Sequence, residues 1–341
     1  MPPDRDYIEY IDFKTLLCLF CLMVSLKGIE REGVLTAVSA KLASGVKSLR
    51  ALVFLLVFVC FFASMLITND VALIAFVPIT IAVFSLCGSM KYCAAAVVLQ
   101  TLAANIGSSL TPIGNPQNLF LFMRYPFTLG SFLLTTLPFV MFGGVLLAVV
   151  CLFVPKQPIQ QEPSSSRVIR KKPVIAYCVM FAVAVSAVFG LVHYLAAAAV
   201  IAAAAFVTDR RTLMKVDYSL LLTFVVIFIF VGNIARIGWI HDIISYWAQR
   251  DTMLTAVVSS QFISNVPAAV MLSEFTDNAF GLLLGVSAGG MGTLIASMAS
   301  VISYRLYATS EPKGIRRYLG LFTVLNVVFL LLSVVFVKVF L

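Results

Sequence analysis

The sequence predicts an all-α integral membrane protein built from two inverted-topology repeats, each with a re-entrant helical hairpin and a broken transmembrane helix. Three observations carry that expectation. Of the 341 residues, 61% are hydrophobic and 11% charged, with a mean hydropathy of +1.04, whereas a soluble domain has roughly 25% charged residues. The stretch from Ile11-Asp12-Phe13 to Gly33 recurs without a gap as Val216-Asp217-Tyr218 to Gly238, an offset of 205 residues. Each copy is followed by a polar tripeptide inside an apolar run, Thr68-Asn69-Asp70 and Ser264-Asn265-Val266, and then by a glycine-rich break, Asn105 to Thr111 and Ser287 to Thr293. Apolar helices interrupted at matching places in two halves mark folds whose binding site lies between the repeats.

A full crossing needs about 20 apolar residues, and several stretches fall short, so these must be broken helices or re-entrant arms. The first repeat, 1–154, opens with an apolar helix near 16–26. Met1 to Asp12 is acidic and polar and no small-residue cleavage site follows, so this helix is expected to target the chain itself. Val34, Val38, Leu42, Val46 and Leu49 fall on one face of an interfacial helix. A hairpin at 51–87 turns at Thr68-Asn69-Asp70, a broken helix follows at 93–123, and 131–154 returns. The linker 155–172, with Pro155, Pro158, Pro163 and three consecutive serines, is polar. The second repeat, 173–341, begins with a helix pair at 174–207. It replays the scheme with Ile240, Ile243, Ile244 and Trp247 on an interfacial face, a hairpin at 252–275 and a broken helix at 280–304.

The net charge of +9 is a topology signal rather than a nucleic-acid footprint, because the basic residues are spread over short loops between apolar helices. With the segment after the first helix cytoplasmic, all 24 basic residues except Arg5, Lys14, Arg124, Arg236, Arg250 and Lys338 lie inside. Both termini then come out non-cytoplasmic, the first hairpin dips in from the cytoplasm and the second from outside. The seven cysteines lie in or beside apolar segments. Cys18-x-x-Cys21 has redox or metal spacing but no His or Cys partner nearby, so small buried hydrophobes are the expectation. His193 and His241 are isolated, and no metal spacing, nucleotide loop or Ser/His/Asp arrangement points to an enzyme.

A hairpin turning at mid-membrane is tolerated only where its tip lines protein or an aqueous pocket. Two tips entering from opposite faces meet near the midplane, where free N–H groups hold an anion and free carbonyls a cation. Asn69 and Asn265 are the matched amides of the tips, able to donate and accept, and their matched places favour a binding role over the competing one of a turn-forming Asn. Asp70 is a carboxylate where one is costly and normally marks an ion pathway; its second reading is a cap on the following helix. Val266 stands at the matched place. Gly107, Ser108, Ser109, Thr111, Pro112 and Gly114 open one helix and Gly289, Gly290, Gly292 and Thr293 the other, with Asn115, Gln117 and Asn118 offering side chains. Ser297 and Ser300 occupy the matched places in the second copy. Close helix packing by small residues is the competing account of the glycines.

These residues resemble the ion transporter superfamily of divalent anion/sodium symporters, citrate-transporter-like permeases and arsenite efflux permeases. The likeness rests on Leu-Ile-Thr-Asn-Asp-Val-Ala-Leu (66–73), Asn-Ile-Gly-Ser-Ser-Leu-Thr-Pro-Ile-Gly-Asn-Pro-Gln-Asn (105–118) and Ser-Gln-Phe-Ile-Ser-Asn-Val-Pro-Ala-Ala (260–269), and it spans nearly the whole chain. The resemblance implies a homodimeric secondary transporter in the cytoplasmic membrane, coupling a small anionic solute to Na+ or H+ by an elevator motion, with no resident cofactor. It implies substrate contacts from Asn69, Ser109, Thr111, Asn115, Asn118, Asn265 and Thr293. Coupling-ion sites would fall at Thr68, Asn69, Asp70, Asn105 and Gly107, and at Ser264, Asn265, Ala288 and Gly290. Two departures stand out. Symporter tips read Ser-Asn-Thr, whereas here Asp70 and Val266 replace the threonines, and the Asn-Asp pair matches arsenite permeases. The pair 174–207 also has no counterpart before residue 11, so the expectation is a compact variant or a chain beginning downstream of the usual start. A passive anion channel is the alternative of another class, disfavoured by two blind hairpins that close a pathway.

Overall fold

The computed structural model describes residues 6–35, 37, 45–159 and 171–341. Among them the chain is helical, with one isolated β-bridge, Ser48 to Pro158. A single turn at Asp6–Glu9 precedes α1 (Phe13–Arg31), α2 (Leu49–Ser64), α3 (Asn69–Leu86), α4 (Cys93–Ser108), α5 (Pro116–Arg124) and α6 (Leu129–Leu152). Then come α7 (Lys171–Val188), α8 (Tyr194–Met214), α9 (Tyr218–Ala235), α10 (Gly238–Arg250), α11 (Thr252–Ile263), α12 (Asn265–Leu272), α13 (Ala279–Gly289), α14 (Met298–Ser310) and α15 (Ile315–Phe340). Among the described residues four stretches are long and apolar enough to cross a membrane: Asn69–Leu86, Leu129–Leu152, Tyr218–Ala235 and Pro312–Phe340. Of the expected interfacial helix at 34–49, residues 36 and 38–44 lie outside the described residues; Val46 lies in non-helical chain and Leu49 opens α2, so the helix does not continue to 49. The linker at 155–172 lies outside the described residues over 160–170.

Side chains set the helix starts. Asp12 accepts from the Thr15 N–H at 3.0 Å, and its repeat partner Asp217 accepts from the Leu220 N–H at 3.2 Å, each satisfying an N–H that a helix start leaves open. Thr128 and Ser131 form a reciprocal capping box at α6. The arms α2, α11 and α12 have 16, 12 and 8 residues, or about 24, 18 and 12 Å. Each is too short for the roughly 30 Å of a hydrocarbon core.

Contacts fix the directions. Gln100 donates to the Leu56 carbonyl, Gly107 lies against Phe61, and Thr111 donates to the Met65 carbonyl, so α2 runs parallel to α4. Gly285 lies against Met253, Gly289 against Ser260, and Thr293 donates to the Gln261 carbonyl, so α11 runs parallel to α13. Across the halves, Asn105 meets Ser297 while Thr101 meets Ser303, which makes α14 antiparallel to α4. Arg31, ending α1, binds Asp209 and Thr212 just before α9. Arg236, just after α9, lies 5.1 Å over the Tyr10 ring just before α1.

The burial pattern follows. One apolar cluster joins α2, α3 and α4 to α6, α14 and α15; a second joins α1, α5, α7, α8 and α9 to α12 and α13. Helices α7 and α8 cover α1, where Gly28 faces the Tyr177 ring and the Tyr177 and Thr212 hydroxyls pair at 2.8 Å. The base of the first hairpin is held by the chain after α6, with Arg50 donating to the Val154 carbonyl at 2.7 Å. On α10, Trp239, Ile243, Tyr246 and Trp247 are exposed, as an interfacial helix requires.

Candidate functional site

The tip of the first hairpin reaches the level of the break between α4 and α5. The Asn69 N–H donates to the Gly114 carbonyl at 3.0 Å and its side-chain amide donates to Asn105 Oδ1 at 3.2 Å. Pro116 at the first position of α5 supplies no N–H, and Asn115 before it caps that helix by accepting from the Asn118 N–H at 2.9 Å. A break leaves carbonyls without helical partners. Asn118 meets three of them, those of Ser108, Ser109 and Thr111, at 3.1–3.3 Å, and Asn115 donates to Ser108 Oγ. Thr111 spends its hydroxyl on the Met65 carbonyl at 2.6 Å, and Ser109 on the Asn105 carbonyl at 2.9 Å.

The second half uses the same device with a different residue. Gln261 donates to the carbonyls of Gly289 and Met291 at 2.9 and 3.0 Å and accepts from the Thr293 N–H at 2.9 Å. The Thr293 hydroxyl donates to the Gln261 carbonyl, four residues before Asn265, as Thr111 does to Met65, four before Asn69. Asn265 is buried and its amide points to the Val286 carbonyl at 3.5 Å. Ser264 sits at φ 71°, ψ 153°, the one non-glycine residue with positive φ among those described, in a region open essentially to glycine alone. Its counterpart Thr68 is ordinary extended chain at φ −65°, ψ 149°.

Asn105 joins the halves. Its amide donates to the Gly290 carbonyl at 3.2 Å, and its Oδ1 accepts from both Asn69 and Ser297. Beside this knot a cavity of about 110 Å³ runs between α1, α3, α5 and the start of α9. Thr68, Asp70 and Asn115 line its inner part, and Lys27, Glu30, Lys215 and Asp217 its charged end. Lys27 and Glu30 pair at 2.8 Å. Asp70 keeps one buried carboxylate oxygen without a hydrogen-bond partner, the kind of orphan that invites a proton, a cation or a donor.

Of the residues expected from sequence, Thr68, Asp70 and Asn115 share the cavity, and Asn69, Asn105 and Gly290 share the hydrogen-bonded knot beside it. Ser264, Asn265 and Thr293 do not line that cavity, and Thr293 is exposed. Gly107 and Gly289 are places of close approach: a Cβ at Gly107 would strike the Phe61 carbonyl, and one at Gly289 would lie 2.6 Å from Ser260 Oγ. A cation at either break would compete with Asn118, Gln261 and Asn105 for the same carbonyls. Gln261, Lys27, Glu30, Lys215 and Asp217 went unassigned from sequence. The one signal for Gln261 was an amide in an otherwise apolar arm shortly before the tip. Among the described residues no group of three or more His, Cys, Asp or Glu side chains converges to hold a metal.

Comparison with known proteins gives the same picture from outside the structure. The chain is 33% identical over 98% of its length to an uncharacterized transporter of Methanocaldococcus jannaschii, covering 92% of that protein. It is 30% identical over 89% of its length to the inner membrane protein YbiR of Escherichia coli, covering 82% of it. An uncharacterized transporter of Mycobacterium tuberculosis is 26% identical over 86% of this chain and 77% of its own. Residues 1–281 match the family described as citrate transporter. With its apolar helices, the chain is a multi-pass membrane transporter and not an enzyme, and it belongs to the citrate transporter family.

Proposed function

We propose that this protein is a secondary active transporter that moves a small anion, a carboxylate or inorganic oxyanion, across the cytoplasmic membrane, coupled to Na+ or H+. Its halves act as inverted-topology repeats, 1–154 and 173–341, in a homodimer whose hairpin-bearing parts move as an elevator. The observation that carries the reading is the knot at Asn105. The first hairpin brings its tip amide, and the break after α13 its freed carbonyl, onto one buried side chain. Irregular backbone deep in a membrane protein is tolerated where it lines a site. The family's description as citrate transporter supports a carboxylate. In the topology set by basic residues the cavity beside Asp70 faces the cytoplasm and both termini lie outside.

Reconstituted protein should accumulate labelled citrate, succinate or sulfate in vesicles only when a Na+ or proton gradient is imposed. Gradient-independent, downhill flux for every solute would rule coupling out. Asn69→Ala and Asn265→Ala should each abolish uptake while the protein stays monodisperse, and Asp70→Asn should change ion dependence more than substrate affinity. A second reading, metalloid efflux, is favoured by one observation: the unpartnered Asp70 oxygen repels an anion but not neutral arsenite. Arsenite resistance in expressing cells, lost in Asp70→Asn, would select it.

A further inference from the structure

The groove between α10 and the second hairpin lies apart from the cavity at Asp70 and is shaped for a different ligand. It has a volume of about 690 Å³ and is walled by Ile243, Trp247, Leu254, Val258 and Met271, with Arg250 at its polar end. We propose that it binds a membrane phospholipid with an anionic headgroup, the phosphate at Arg250 and one acyl chain along α11.

Three features of the groove and its surroundings argue for that occupant. First, α10 carries exposed Trp239, Tyr246 and Trp247, the aromatic side chains that settle at headgroup depth. Second, among the described residues Arg250 donates only to the Tyr246 hydroxyl, at 3.1 Å, and the carboxylate of Asp251, which lines the same groove, is taken by Lys338. The guanidinium is therefore a cation with donors to spare, suited to a phosphate. Third, Leu254, Val258 and Phe262 form an exposed apolar stripe that descends α11 from Arg250 toward the hairpin tip. The stripe covers about 12 Å, close to one leaflet's share of a hydrocarbon core of about 30 Å.

The two tryptophans of the chain, Trp239 and Trp247, both lie on α10, so Trp239→Phe leaves Trp247 as a single reporter in the groove wall. This variant, reconstituted in phosphatidylcholine vesicles, is titrated with phosphatidylglycerol or phosphatidylcholine carrying brominated chains, and Trp247 quenching is read. The brominated phosphatidylglycerol should associate about five-fold more strongly, the equivalent of ~1 kcal/mol for one basic side chain near an anionic headgroup. Adding Arg250→Gln should make the two curves coincide. Val258→Phe, which fills the tail end while leaving Arg250 in place, should lower quenching by the anionic lipid and keeps the test decisive if the Arg250 variant fails to fold. Coincident curves in the Trp239→Phe protein would mean ordinary boundary lipid and overturn the proposal, as would a preference that survives Arg250→Gln.

Discussion

Ser264 holds the least comfortable backbone conformation described in the molecule, and it does so between the two arms of the second hairpin. Residues in that region of φ/ψ space cost about 1–3 kcal/mol unless they are glycine, while glycine loses about 0.5–1 kcal/mol of extra chain entropy on folding. Ser264→Gly should therefore raise the thermal midpoint of the purified protein, and Ser264→Ala, which keeps the Cβ, should not. Equal midpoints for the two variants would show that no strain resides there. Asn105 is a different kind of residue, a hub for three partners rather than a point of strain. Asn105→Ala strands the Asn69 amide, the Ser297 hydroxyl and the Gly290 carbonyl together. Buried orphans cost about 1–3 kcal/mol each, though hydrogen bonds between membrane helices average nearer 0.6 kcal/mol. A lower midpoint with loss of transport is expected, and wild-type transport would remove Asn105 from the mechanism. Asn69 and Asn265 were legible in the sequence because the repeat places them in register. The joining of Asn105 to Gly290, 185 residues away, was not, because spacing along a chain says nothing about which helices lie side by side.

At the scale of elements, the matched glycines explain why hairpin and broken helix stay together. Gly107 is pressed against Phe61 and Ser64, and Gly289 against Val257 and Ser260. Both partner pairs differ by the 196 residues that separate Asn69 from Asn265. Two unrelated breaks would not set each glycine against residues at matched positions of the adjoining arm. Small residues let membrane helices approach closely, so the bland reading of these glycines and the functional one describe a single feature: close packing holds the tip at the break. Gly107→Ala should destabilise more than Gly289→Ala, because its new methyl would strike the Phe61 backbone carbonyl, whereas at Gly289 the nearest atoms, 2.6 and 2.7 Å away, belong to the Ser260 side chain and the nearest backbone atom is 3.2 Å away. Thermal unfolding of the two variants checks the order, and the reverse ranking would mean that the arms separate easily. The break after α4 was legible in sequence from its glycines and Pro112, whereas Asp12, Asp217 and Asn115, which cap helices in the structure, were not read as terminus signals. The service of Asn118 and Gln261 to freed carbonyls was hidden, because an amide in an apolar run looks the same whether it faces a ligand or its own backbone.

For the whole molecule, the arginines at the ends of the repeated helices show how the halves engage. Arg31 meets Asp209 and Thr212 ahead of α9, and Arg236 meets Tyr10 ahead of α1. An arginine from each half thus reaches the other, and the lining of the cavity brings the end of α1 beside the chain leading into α9. The cavity beside Thr68 and Asp70 has its charged end at that corner, among Lys27, Glu30, Lys215 and Asp217. In the topology set by the basic residues, Thr68 is reached from the cytoplasmic side, and the second tip, entered from the other end, is not. In a background with the seven native cysteines replaced, Thr68→Cys should react with a charged, membrane-impermeant maleimide in inverted vesicles and resist it in right-side-out cells. Lys27→Cys, at the mouth, should follow the same sidedness and react faster, since it precedes Thr68 on the path. Labelling of Thr68→Cys from outside the cell would mean that the cavity faces the opposite compartment and that the orientation read from charge is inverted. Labelling of Lys27→Cys and Thr68→Cys from opposite sides would break the path altogether, and the single-sided access on which alternating exposure depends would have to be abandoned.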